Sequence, residues 1–291
     1  MWEESTLDAA VDLYGAYLRK YYPNLSKPYY DRNKAAPESG RAEAALFAFL
    51  QAHCNRVEPH ETRGTGGPDF LCTTNGNRFL VEVTALEEES VVRASDWNND
   101  IPDNGETFDF NFCTAKIRQK ASDKAPQFKN SPMPRILAIA TSHPGCDVLF
   151  GRHAAQAALL SDTLLSVPIN SPTECFSQVT HLQESVFIRP KNGAIEPCRQ
   201  SISALLLAAL LNDHCSVFGV LHPAPAKRFD IAGLPTVPFV RLTKWPPEGN
   251  QLSVEWIVSS PQPAKHQFRK LDFQRAEELF DVKSLQDNRA K

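Results

Sequence analysis

An α/β fold is what this sequence predicts, on three observations. Segments with apolar residues three to four apart, the helical period, alternate with short apolar runs of strand type. A short Asn75-Gly76-Asn77 turn joins two of those runs as a hairpin. The run Arg135–Thr141 is continuously apolar, as a strand buried on both faces must be. The chain has 291 residues, one large domain or two small ones, and is long enough to bury a real core. Its 22 prolines are scattered and no internal repeat is visible, which predicts one compact body with long loops.

Taken in order, the first helix begins near Ser5, with Asp8 as a variant capping box, because Leu7, Val11, Tyr14 and Leu18 share one face. Tyr21–Ser39, with prolines at 23, 28 and 37, reads as a loop wrapping the surface. A second helix, Gly40–His53, carries a wide apolar stripe from Leu46, Phe47, Phe49 and Leu50, and Glu43 lies on that inward face. Strand signals follow: Asn55–Glu61, the glycine turn Gly64–Gly67, then Pro68–Cys72 and Arg78–Ala85. Residues 86–110 form a long acidic connection in which only Arg93 is basic, and the sign then reverses. Lys116 to Arg135 holds six basic residues and one acid, on a helix of Thr114–Asp123 or a little longer. Beyond the strand Arg135–Thr141, the reading is helix His153–Leu160, strand Val186–Arg189, helix Ser201–Leu211, strand Ser216–His222, loops over Leu234–Pro247 and a helix near Asp272–Phe280.

Charge and composition exclude several classes. With 31 Lys and Arg against 34 Asp and Glu, a wholly basic nucleic-acid binder is ruled out, and any such partner must be held by a local basic patch. Apolar runs such as Ala204–Leu211 are far shorter than the roughly 20 residues of a membrane span, and Met1-Trp2-Glu3-Glu4 is no signal region, so a cytoplasmic chain without a membrane partner is expected. Seven widely spaced cysteines fit neither a CxxC zinc site nor a disulfide framework and are expected to be free, mostly buried thiols.

The residues that carry chemistry lie on the hairpin. Side chains alternate along a strand, so Glu82 is set opposite in direction to Val81 and Val83 within an apolar run. A lone buried carboxylate is costly unless it is paired or binds a metal. Asp69 opens the preceding strand and comes close to Glu82 across the hairpin. Two such carboxylates, with the carbonyl of Val83 nearby and Glu43 as a third, make an oxygen-rich site suited to Mg²⁺, with Mn²⁺ as substitute. Bland readings stand beside these: Pro-Asp as a turn, Glu82 on an exposed strand edge, Glu43 as an ordinary helix former, and the lysines as a solvated face. His53, Cys54 and His60, or His143 with Cys146, lack an orienting third group for a nucleophile and match no zinc spacing, although His60 lies just ahead of Asp69.

A helix with Glu43, then Pro68-Asp69, then Glu82-Val83-Thr84, then a lysine-bearing helix and an apolar strand resembles the PD-(D/E)XK nuclease superfamily over about residues 40–141. The resemblance implies a restriction-endonuclease-like central mixed β-sheet flanked by helices. Residues 1–39 would be an N-terminal helix and wrapping loop, and residues 142–291 an extension of the same α/β domain. It implies Mg²⁺-dependent hydrolysis of phosphodiester bonds in DNA, with RNA as second choice, Asp69 and Glu82 as metal ligands and Glu43 as accessory ligand. The departure is Thr84, which stands where the family has lysine. Some members recruit the lysine from the following helix. Here Lys116, Lys120 and Lys124 share one face; Lys120 is the first choice for the catalytic role and Lys116 the second. Lys116, Lys120, Lys124 and Lys129 are the expected nucleic-acid contacts. The rival reading is a catalytically degenerate nuclease-fold binding or scaffold module.

Overall fold

The computed structural model describes residues 6–60, 67–95, 111–128, 131–160, 164–166, 176–178, 184–248, 252–257 and 262–268. Three helices come first: α1 (Thr6–Tyr21), α2 (Pro23–Ala35) and α3 (Pro37–His53). Leu7, Val11, Tyr14 and Leu18 are all buried, as their spacing requires. The expected loop Tyr21–Ser39 is instead mostly α2. Pro23 and Pro37 stand in the first turns of their helices, where a missing N–H costs nothing, so they start helices rather than break a chain. α2 buries only Leu25, Ser26 and Tyr29, a stripe too narrow to read by periodicity, and it lies close against α3: a Cβ at Gly40 would run into the Asn33 side chain. α3 therefore begins three residues before the expected Gly40.

The sheet begins with β1 (Arg56–Pro59), β2 (Phe70–Thr74) and β3 (Asn77–Ala85), all antiparallel. Thr74 pairs with Asn77 around a two-residue turn in which Asn75 has φ 49° and Gly76 φ 82°, the left-handed backbone that such a turn demands. Next come α4 (Glu88–Ser95), inside the acidic connection, and α5 (Asn111–Lys124). β4 (Arg135–Thr141) pairs parallel with β3. α6 (Cys146–Leu149) and α7 (Arg152–Leu159) precede two small hairpins, β5 (Leu164–Ser166) with β6 (Phe176–Gln178) and β7 (Ile188–Lys191) with β8 (Ala194–Pro197). Of the expected strand Val186–Arg189, Ile188 and Arg189 belong to a separate hairpin that does not join the main sheet.

β9 (Ala204–Leu210) is the largest departure, because Ser201–Leu211 reads as a helix. It is a central strand, buried at every position, parallel to β4 and antiparallel to β10 (His214–Leu221). Alanine and leucine favour helices, but burial on both faces of a sheet removes the periodicity that separates the two states. β11 (Phe239–Leu242), β12 (Val254–Ile257) and β13 (Ala264–Gln267) complete the sheet, whose order is β1-β2-β3-β4-β9-β10-β11-β12 with β13 also on β10. The molecule is therefore α/β, with a large mixed sheet flanked by helices, and strands from residues 40–141 and from beyond residue 142 share that sheet. α1–α3 cover one face through Tyr14, Phe47, Phe49, Phe70 and Val81. α5 and α7 cover the other through Ile117, Ala121, Leu137, Ile139, Leu205 and Leu207. The expected helix at Asp272–Phe280 lies outside the described residues.

Six cysteines are free thiols, all buried except the half-buried Cys54, and Cys175 lies outside the described residues. Among the described residues no helix is long and apolar enough to cross a membrane.

Candidate active site

Phe70 pairs with Val81 in the β2–β3 ladder, so the register carried one residue further sets Asp69 across from Glu82. Facing residues of an antiparallel pair share a side of the sheet. Asp69 is held by its backbone, whose carbonyl accepts from the His60 N–H at 2.8 Å. Its carboxylate Oδ2 accepts from the Val83 N–H at 2.6 Å. Burial pushes the Asp69 carboxyl well above the ordinary carboxylate range, and the negative charges of Glu43 and then Glu82 push it further, against the Val83 N–H and Arg32.

Glu82 is 5% exposed, as its place in the apolar strand predicts. Its charge is met by the Lys124 ammonium, with Nζ donating to Oε1 at 2.6 Å from the last turn of α5. Arg135, at the start of β4, also feels the Glu82 charge; its guanidinium donates to the Gln127 carbonyl at 2.9 Å and lies over the Phe128 ring. The end of α5 is itself anchored. Arg199 Nε donates to Ser122 Oγ at 2.9 Å, and Ser201 Oγ donates to the Ala125 carbonyl at 2.7 Å, so segments beyond residue 184 fix the turn that carries Lys124.

Glu43 lies on the opposite helical layer, and both of its oxygens are engaged. Tyr14 donates its hydroxyl to Oε1 at 3.0 Å and Arg32 donates to Oε2 at 3.1 Å. Neither partner is singled out by the sequence: Tyr14 reads as a core residue of an apolar stripe, and Arg32 falls in the segment expected to be a loop.

Asp69 and Glu82 are thus brought together, and the lysine placed on Glu82 is Lys124 rather than Lys120 or Lys116. The latter two lie one and two turns earlier on α5, half-buried, with no ion pair to a carboxylate among the described residues. The reason is helical geometry. Lys124 is the last residue of α5 and reaches Glu82 in the middle of β3. Lys129 lies outside the described residues. Val83 enters through its N–H. His60 is exposed.

The other histidine and cysteine groupings are turn and core features. His143 Nδ1 accepts from the Gly145 N–H at 3.0 Å, and burial pushes the Cys146 thiol up to about 12, where it is no nucleophile at neutral pH. His53 shares a hydrogen bond with Thr236 at 2.8 Å, and burial holds it down to about 4.

Among the described residues no three or more Asp, Glu, His or Cys side chains stand together as a metal site. Mg²⁺ is commonly held by one or two carboxylates with water completing its shell, and Asp69 and Glu82 are the two carboxylates available here. Comparisons with family models, with curated proteins and with solved structures find no match for the chain.

Proposed function

We propose that the chain is a metal-dependent nuclease that hydrolyses phosphodiester bonds, in DNA before RNA, with a restriction-endonuclease-like core. The observation that carries this reading is the Asp69–Glu82 pair across adjacent strands with the Lys124 ammonium on Glu82. It supports the superfamily's chemistry with a lysine supplied by the helix in place of Thr84. Asp69, Glu82 and the Val83 carbonyl would hold Mg²⁺, which supplies positive charge and an acidified water. Glu43 is the accessory carboxylate. Lys124 brings the charge that a threonine lacks to the phosphoryl oxygens, where charge develops in the transition state. Lys116 and Lys120, on the same face of α5, contact flanking phosphates, and Lys129 extends that basic run.

Plasmid nicking in Mg²⁺ or Mn²⁺ tests the reading. Wild-type protein nicks, and Asp69→Ala and Glu82→Ala each abolish nicking with the fold retained. Metal-dependent activity that survives in either variant places the chemistry elsewhere.

One observation favours a second reading, a nuclease-fold binding module without turnover: Glu82 is already neutralised by an ammonium group at 2.6 Å. Tight nucleic-acid binding with no cleavage in either metal is its signature.

A further inference from the structure

α5 ends at Lys124, and a cavity of about 420 Å³ opens beside that end. Ser122, Ala125 and Pro126, on either side of Lys124 in sequence, supply one wall, and Arg189, Arg199 and Gln200 supply the other. Ala125 and Cys198 are buried and give the cavity an apolar floor, while Arg189 and Gln200 are exposed at its rim. Its volume falls in the range of roughly 300–1,000 Å³ that small-ligand sites occupy.

The end of a helix ordinarily repels phosphate, because its last carbonyls carry partial negative charge. Here those carbonyls are covered. Ser122 Oγ donates to the Arg118 carbonyl at 2.8 Å, Ser201 Oγ to that of Ala125 at 2.7 Å, and Arg135 to that of Gln127 at 2.9 Å. The rim adds positive charge: Arg189 and Lys191 share one carboxylate, Glu196, at 4.0 and 3.2 Å, so the β7–β8 hairpin is net cationic. The wall is also rigid. Arg199 holds a left-handed backbone, φ 54°, and its guanidinium donates to Ser122 Oγ at 2.9 Å and to the Val186 carbonyl at 2.8 Å. Gln200 is pinned by donating to the Ala224 carbonyl at 2.9 Å, which leaves the rest of its amide in a fixed place.

A cation and a fixed amide over an apolar floor match the three parts of a nucleotide: phosphate, base edge and base face. The lysine face of α5 leads to this end of the helix. A base held in a duplex stack cannot enter a cavity, whereas an unpaired one can. We propose that this cavity takes one unpaired nucleotide of the substrate strand, beside the phosphate that lies at Glu82 and Lys124, with Arg189 on its phosphate and Gln200 on its base. The inference rests on the nuclease reading above and narrows its substrate to nucleic acid that is single-stranded or locally unpaired.

The test is fluorescence anisotropy of a labelled single-stranded DNA and of the matching duplex, with the full chain and no divalent metal, so that nothing is cut. Wild-type protein is expected to bind the single strand about tenfold tighter than the duplex. Arg189→Ala, at an exposed position, keeps the melting temperature and weakens single-strand binding by about fivefold. It also lowers the slope of log affinity against log salt by about 0.7, the mark of one lost phosphate contact on a single strand. Gln200→Trp, which fills the cavity, costs the single strand about tenfold and spares the duplex. Arg241→Ala, an equal loss of charge on β11, leaves both affinities unchanged. If single strand and duplex bind alike, and Arg189→Ala and Gln200→Trp match wild type while Lys116→Ala weakens binding, the cavity holds no nucleotide and this inference alone is overturned. If wild-type protein binds neither DNA and nicks no plasmid, the nuclease reading falls and this inference with it.

Discussion

Asp69 is the residue on which the electrostatics converge. Its carboxyl titrates well above the ordinary range because burial and two neighbouring carboxylates disfavour its charge. Folding thus favours the protonated form. The stability it contributes is full below the unfolded pKa of about 3.9 and is lost as pH rises toward the folded value. Asp69→Asn removes that penalty, so the variant is expected to melt higher than wild type at pH 7 while losing Mn²⁺ binding. A lower melting temperature contradicts this reading of the carboxylates. Metal affinity is expected to climb with pH for the same reason, since the ion displaces a proton. Lys124 makes a second residue-scale prediction, with opposite signs in binding and rate. Its ammonium occupies Glu82, so Lys124→Met is expected to raise Mn²⁺ affinity, measured by titration. It also lowers nicking by at least about tenfold, the equivalent of roughly 1.4 kcal/mol. Equal affinity and undiminished nicking remove Lys124 from the mechanism.

At the scale of elements, what was legible followed from local chemistry. The Asn75-Gly76 turn fixes the β2–β3 register, and that register is what sets Asp69 against Glu82. Gly76 has φ 82°, so Gly76→Ala is expected to cost about 1–2 kcal/mol in chemical denaturation without moving the register. A cost near zero contradicts the turn assignment. Glu82 and the lysine face of α5 were legible for a similar reason: alternation along a strand and four-residue spacing along a helix are both local. β9 was not, because Ala204–Leu210 carries helix formers whose strand state is dictated by β4 and β10 on either side. α2 was hidden by its prolines, and Arg32 with it. Spacing shows that Lys116, Lys120 and Lys124 share a face, while the meeting of α5 with β3 decides which one reaches Glu82.

At the scale of the molecule, the segment 40–141 is not self-sufficient. β4 has β3 on one side and β9 on the other, so removing residues 142–291 leaves the apolar run Ile136–Ala140 of a central strand as an open edge. Arg199 and Ser201 also hold the end of α5 in place. A 40–141 fragment is expected to lack cooperative unfolding by circular dichroism, whereas a sharp transition in the fragment contradicts the shared-sheet account. The helical layer α1–α3 covers the opposite face and carries Glu43, which accepts from Tyr14.

The most direct measurement is a crystal structure of the full chain soaked in Mn²⁺, read by the anomalous scattering of the metal. The account predicts a peak between the Asp69 and Glu82 carboxylates, at roughly 2.1 Å metal–oxygen distances for a small hard cation, with Lys124 turned off Glu82. A soaked crystal with no peak at these residues, and with the Lys124 ammonium still on Glu82, contradicts it.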